Sequence, residues 1–180
     1  MSSNVKKYIM TSIVLGSIAA ASGILIGATN LITKERIAQN EKDKVQQGIA
    51  SIFKQNSINY EEYSLEEAGL SGDYKYVTTL YTVKDNDGND LGLVFKTSGS
   101  NMYGKISLIA GYDKESQTFL NLSLIVNEQT YATTLVDNYI NPLNDGTRDL
   151  DDVTCGATYG AKLVRDMVNE AGKAAEEYWK

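Results

Sequence analysis

Tyr74-Lys75-Tyr76-Val77-Thr78-Thr79-Leu80-Tyr81-Thr82-Val83 is followed by Asp85-Asn86-Asp87-Gly88-Asn89-Asp90 and then Leu91-Gly92-Leu93-Val94-Phe95. The first run is rich in aromatic and β-branched residues, which suit a pleated, half-buried surface. The acidic, amide-rich segment ending its central part in Asp87-Gly88 is turn chemistry, so the two apolar runs read as a hairpin. A calcium loop would need more residues and a glutamate downstream of those acids. The hairpin reading therefore stands.

Further strands extend the pattern. Gly104–Tyr112 and Phe119–Val126 are joined by the turn Asp113-Lys114-Glu115-Ser116, and the second alternates apolar and polar residues. After Val126 the sequence becomes polar from Asn127 to Tyr139, and Pro142 marks an expected loop. A helix is expected from about Tyr159 to Tyr178, with Val164, Met167, Val168, Ala171, Ala175 and Tyr178 on one face. No repeat, low-complexity tract or interdomain linker interrupts the chain. The fold class is α+β: an antiparallel sheet flanked by helices, preceded by one transmembrane helix.

That helix begins after Lys6-Lys7. Tyr8 to Thr33 carries no charge and ends at Lys34-Glu35-Arg36, longer than the about 20 apolar residues that span a bilayer. Ala19-Ala20-Ala21 would suit signal cleavage, but Ile24, Leu25, Ile26, Leu31 and Ile32 carry the apolar run beyond it. An uncleaved anchor over 1–34 is expected, with 35–180 as the following domain. Lys6, Lys7 and the terminal amine favour a cytoplasmic N-terminus and an extracytoplasmic C-terminal domain. Ile37 to Phe53, apolar at Ile37, Val45, Ile49 and Phe53, reads as a helix leaving the bilayer.

The totals remove several chemistries. The 180 residues contain no histidine and one cysteine, Cys155, and the net charge is −6. An acidic chain is a poor partner for nucleic acid. Without histidine, and with one cysteine, zincin, triad, haem-ligand, multi-cysteine metal and disulfide arrangements are unfavourable, and no metal site is expected. Redox or group-transfer chemistry would have to come from a cofactor.

Asp151-Asp152-Val153-Thr154-Cys155-Gly156-Ala157-Thr158-Tyr159-Gly160 leads into the final helix. Thr158 falls near a helix start, where free N–H groups and the dipole favour an anion. Gly156 and Ala157 leave room for a phosphate close to the backbone. On the residues alone, a plain Thr or Asp helix cap is the simpler reading of this spacing.

Asp152-Val153-Thr154-Cys155-Gly156-Ala157-Thr158 resembles the flavinylation motif of the FMN-binding domain family, Asp-x-x-(Ser/Thr)-Gly-Ala-Thr. The family includes the G subunit of the Rnf ion-translocating electron transport complex and the C subunit of the sodium-pumping NADH:quinone oxidoreductase. Ala28-Thr29-Asn30-Leu31-Ile32-Thr33-Lys34-Glu35-Arg36-Ile37-Ala38 and Asn101-Met102-Tyr103-Gly104-Lys105-Ile106 are also similar to family segments. The resemblance implies one FMN per chain, bound through a phosphoester to Thr158. It also implies a flavin transferase for maturation and other complex subunits as partners. Gly156, Ala157, Asp152 and Cys155 come from the motif, with Thr130, Tyr103 and Tyr159 as further cofactor-binding candidates. Two positions depart from the family. Cys155 stands where Ser or Thr is usual, and Asn127-Glu128-Gln129-Thr130-Tyr131-Ala132-Thr133 replaces a Glu-Thr-Pro-Gly loop. The other reading is a flavin-free anchored binding or structural module, in which Thr158 is only a cap.

Overall fold

β2 (Val77–Lys84) and β3 (Asp90–Asn101) form the expected antiparallel hairpin. In the turn, Asp85 Oδ1 accepts the N–H groups of Asp87 (2.9 Å) and Asn89 (2.8 Å). Hydrogen bonds from Asn89, side chain first, hold the Asp85 carboxyl below its ordinary range. β2 starts later than the aromatic run suggests. The N–H groups of Tyr76 and Val77 both donate to the Glu170 carboxylate of the final helix, so the chain ahead of Val77 is held by a helix side chain.

β3 runs past the expected end at Phe95, because its polar half, Lys96 to Asn101, pairs with β4 (Gly104–Asp113) as far as Asn101 opposite Gly104. β5 (Phe119–Asn127) pairs with β4, and β1 (Asn59–Tyr63), which the sequence did not announce, pairs with β2. The result is one antiparallel meander in the order β1-β2-β3-β4-β5. Asn144 covers part of the β5 edge: its side chain accepts from Leu122 N–H (3.0 Å) and donates to Leu122 O (2.9 Å).

The computed structural model describes residues 3–55 and 58–180, without the side chains of 3–5, 31 and 32. Met1 and Ser2 of the expected anchor, and the apolar side chains expected at Leu31 and Ile32, lie outside the described residues. By its internal contacts the chain divides into Met1–Asp43 and Lys44–Lys180.

α1 (Ser3–Phe53), most of which makes up the first unit, is long and apolar enough to cross a membrane. Tyr8, Ile13, Leu15, Ile18, Ile24, Leu25 and Ile26 are all well exposed, which water would penalise and lipid would not. Hydroxyls within the run are paired along the helix: Ser17 Oγ donates to Ile13 O (2.8 Å) and Thr29 Oγ1 to Leu25 O (2.8 Å). Such back-bonding satisfies these hydroxyls within the helix itself.

The second unit has three layers. Strand alternation sends Leu80, Phe95, Leu108, Ala110 and Tyr112 to one face, against α4 (Thr158–Tyr178). It sends Tyr81, Val83, Val94, Ile109 and Ile125 to the other, against Val45, Ile49 and Ile52 at the end of α1. Ile52, rather than the half-buried Phe53, completes that helical face. Val164, Met167, Val168, Ala171 and Ala175 of α4 are buried as expected, each large side chain contributing about 1.5–3 kcal/mol. Tyr178 is exposed, because the last turn reaches the edge of the sheet. Tyr112 donates its hydroxyl to Val168 O at 2.6 Å, and burial raises its pKa.

The segment expected to loop is helical. α2 (Ala132–Leu135), a π-helical turn (Val136–Ile140) and α3 (Asn141–Asn144) follow one another. Pro142 sits in the first turn of α3. A proline ring clashes with the carbonyl four residues back in a regular helix; the wider π turn lies over that position.

Candidate functional site

Three segments converge at one end of the sheet. The first is the β3–β4 turn. Gly104 has φ +135°, and a Cβ there would lie 2.1 Å from Glu128 O. Only glycine lets this turn press directly on the chain leaving β5. Thr130 N–H donates to Tyr103 O (2.9 Å), and the Thr130 hydroxyl donates to the same oxygen (3.3 Å).

The second segment is the turn before α2. Gln129 is only 7% exposed. Its Nε2 donates to Asn101 Oδ1 (3.1 Å) and to Gly104 O. Asn101 Oδ1 also accepts from Tyr103 N–H (2.8 Å), while Asn101 Nδ2 donates to Tyr159 O (3.1 Å). One amide pair thus joins all three segments.

The third is the loop into α4. Arg148 Nη1 donates to Asp152 O (2.8 Å) and Thr154 O (3.3 Å) and lies 3.2 Å from Asp152 Oδ2. Two neighbours in the π turn hold the same loop: Asn138 Nδ2 donates to Cys155 O (3.1 Å), and Tyr139 donates its hydroxyl to Leu150 O. The π turn aims these consecutive side chains at the loop. Burial raises the Tyr139 pKa. Gly156 takes φ +82°, a left-handed conformation costly for other residues.

Ala157 is the N-cap of α4, and Thr158 is the first helical residue. The first helical bond runs from Ala161 N–H to Ala157 O at 3.0 Å. The N–H groups of residues 158–160 therefore have no acceptor within the helix. Thr158 lines a cavity of approximately 250 Å³ together with Gly156, Ala157, Tyr159 and Gly160 on its own segment. Tyr103, Gln129 and Tyr131 form the facing wall. The Tyr103 ring lies 5.4 Å from that of Tyr159 and 6.0 Å from that of Tyr131, centroid to centroid. Tyr131 and Tyr159 are more than half exposed, so two of the three rings stand open to solvent. No charged side chain lines the cavity among the described residues. Lys162 Nζ lies 6.0 Å from the Tyr159 centroid.

The cavity thus gathers Tyr103, Gly156, Ala157, Thr158 and Tyr159 from the sequence-derived candidates. The other three stand apart from its lining. Cys155 is buried in the core cluster beneath the loop. Asp152 is exposed and braces the loop, accepting from Thr154 N–H at 3.3 Å. Thr130 is exposed and fixes Tyr103 through its backbone and hydroxyl. Gln129, Tyr131 and Gly160 were not singled out. Gly160 packs closely there: a Cβ would stand 3.1 Å from Leu135 Cδ2 and 3.3 Å from Gln129 Oε1. The polarity of Gln129 among Thr and Tyr residues was a visible but insufficient signal.

A phosphate monoester of an aromatic cofactor fits these residues. The helix N–H groups of residues 158–160 could receive an anion, Thr158 lines the same cavity, small residues give clearance, and tyrosines offer a face for a planar ring.

Residues 1–52 match the family described as the RnfG N-terminal region. No curated protein matches the chain. The match covers almost all of α1 and ends before the sheet and the cavity begin. Through that helix the chain resembles the RnfG subunit of a membrane electron-transport complex.

Proposed function

We propose that this chain is a membrane-anchored flavoprotein subunit of an Rnf-type complex, carrying FMN on Thr158 through a phosphoester. The carrying observation is the position of Thr158. It is the first helical residue beside an aromatic cavity, and the capping position belongs to Ala157. The capping alternative expects Thr158 at the N-cap, one residue earlier than its place in the helix. Gly156 and Ala157 clear the approach, and residues 158–160 present N–H groups to the phosphate. Tyr103, Tyr131 and Tyr159 hold the planar ring. FMN bound here would supply one- and two-electron transfer between neighbouring redox centres.

The chain itself acts as acceptor and tether. A covalent bond prevents cofactor loss into a dilute exterior, and the anchor keeps the domain close to its membrane partners. A separate transferase attaches the group. The domain following the helix lies on the extracytoplasmic side, in line with Lys6 and Lys7 at the N-terminal flank.

The test is intact mass and in-gel flavin fluorescence of the full chain co-expressed with a flavin transferase. The expected result is a mass gain of FMN less one water and fluorescence that survives denaturation, both absent in Thr158→Val. No adduct on wild type, beside a substrate protein that is labelled in the same cells, overturns the proposal.

A further inference from the structure

We infer that Gln129 is the positioning residue of this site: its side-chain amide sets Tyr103 and Tyr131 against Tyr159 at the start of α4. The inference rests on the flavin reading for its functional meaning, and on hydrogen bonds alone for its structural part. Nε2 of Gln129 donates to Asn101 Oδ1 and to Gly104 O, the two ends of the turn that carries Tyr103. Asn101 passes the constraint to Tyr159 O at 3.1 Å. The residue after Gln129 fixes Tyr103 O from the other side, and the next is Tyr131.

All three rings are thereby referenced to one buried amide. The Tyr103–Tyr131 and Tyr103–Tyr159 planes meet at 57° and 41°, so the rings form a tilted rim instead of a stacked column. Both Nε2 protons have acceptors, and the acceptors belong to different parts of the same turn. An apolar residue of similar length would fill the space but leave both ends of that turn without the amide, with Thr130 alone bonded to Tyr103 O from the chain after β5. Aromatic contacts alone hold such rings weakly. Loss of the amide should free Tyr103 while leaving the Thr158 hydroxyl untouched.

The experiment compares wild type and Gln129→Met as full chains in detergent, with and without the flavin transferase. Asn101→Ala cuts the network from its exposed end and replaces Gln129→Met should that variant lose cooperative unfolding. In flavin-free protein, tyrosine nitration by tetranitromethane is mapped by mass spectrometry. Nitration of Tyr103 is expected to rise about fivefold relative to buried Tyr112 and Tyr139, the change in local opening from one net hydrogen bond. In flavin-bearing protein the adduct mass is expected to remain. Fluorescence of the folded protein should rise relative to its denatured value, because an electron-rich phenol quenches a flavin only in contact. Unchanged Tyr103 nitration overturns the positioning role, whatever the flavin result. Raised nitration with unchanged fluorescence overturns its connection to the cofactor. A wild type without adduct instead overturns the functional proposal, and nitration then judges the structural part of the inference by itself.

Discussion

Gly156→Ala isolates the backbone requirement of the loop before Thr158. Gly156 has φ +82°, and an added Cβ would meet Thr134 Cγ2 at 3.3 Å. A left-handed conformation costs an L-residue about 1–2 kcal/mol. The methyl contact is tight, but Thr134 offers the end of a side chain, so conformation dominates. For the Lys44–Lys180 unit this corresponds to a fall in Tm of about 3–6 °C. Gly146 provides the control, since it has φ +70° and nothing within 4 Å of an added Cβ. Gly146→Ala should show the conformational cost alone, and Gly156→Ala the same or slightly more. Gly156→Asn should recover part of the loss, because Asn enters the left-handed region more readily. The assay is thermal unfolding of the full chain in detergent, followed by near-ultraviolet circular dichroism. A Gly156→Ala Tm within about 1 °C of wild type would refute the reasoning.

Two further substitutions probe the supports of the fold and the site. Tyr139→Phe removes the hydroxyl that donates to Leu150 O and should cost about 1–2 kcal/mol in urea unfolding at unchanged m-value; an unchanged midpoint would show that water replaces the bond freely. Glu177 accepts from the Tyr74 hydroxyl and from Ser71 N–H and Oγ, and these bonds, Tyr74 first, lower its pKa from 4.5. A lowered folded-state pKa gives stability that is present above the unfolded value and lost as pH falls through the folded one. The Tm deficit of Glu177→Gln should therefore be present at pH 7 and shrink below the ordinary glutamate range, whereas a deficit independent of pH would contradict the linkage. The same contact acts on Tyr74, where burial first and the Glu177 bond second raise the pKa to about 12.

Much of this architecture was readable in the sequence because it rests on local chemistry. The Asp85–Asp90 turn and the apolar stripe of α4 each follow from short-range pattern, whereas register shifts between β4 and β5 break the alternation expected of β5 and send Leu120 and Leu122 to opposite faces. β1 was illegible because Asn-Tyr-Glu-Glu-Tyr has little apolar alternation and gains its partner only across the sheet. The Ala132–Asn144 helical run was hidden by its polarity and by Pro142, which a π turn accommodates. At the site, the sequence located Thr158 and its small neighbours. It could not show that Gln129, distant in the chain from both Asn101 and Tyr159, links the other two segments. Nor did spacing reveal that Cys155 turns into the core while Asp152 braces the loop from outside.

The decisive measurement is the intact mass of the full-length chain after co-expression with a flavin transferase, wild type beside Thr158→Val, followed by peptide mapping. One FMN less one water on wild type, localised to the peptide bearing Thr158 and absent from the variant, is the predicted result. An unmodified wild type beside a labelled control protein, or an adduct that persists in Thr158→Val, would contradict the tether at the start of α4.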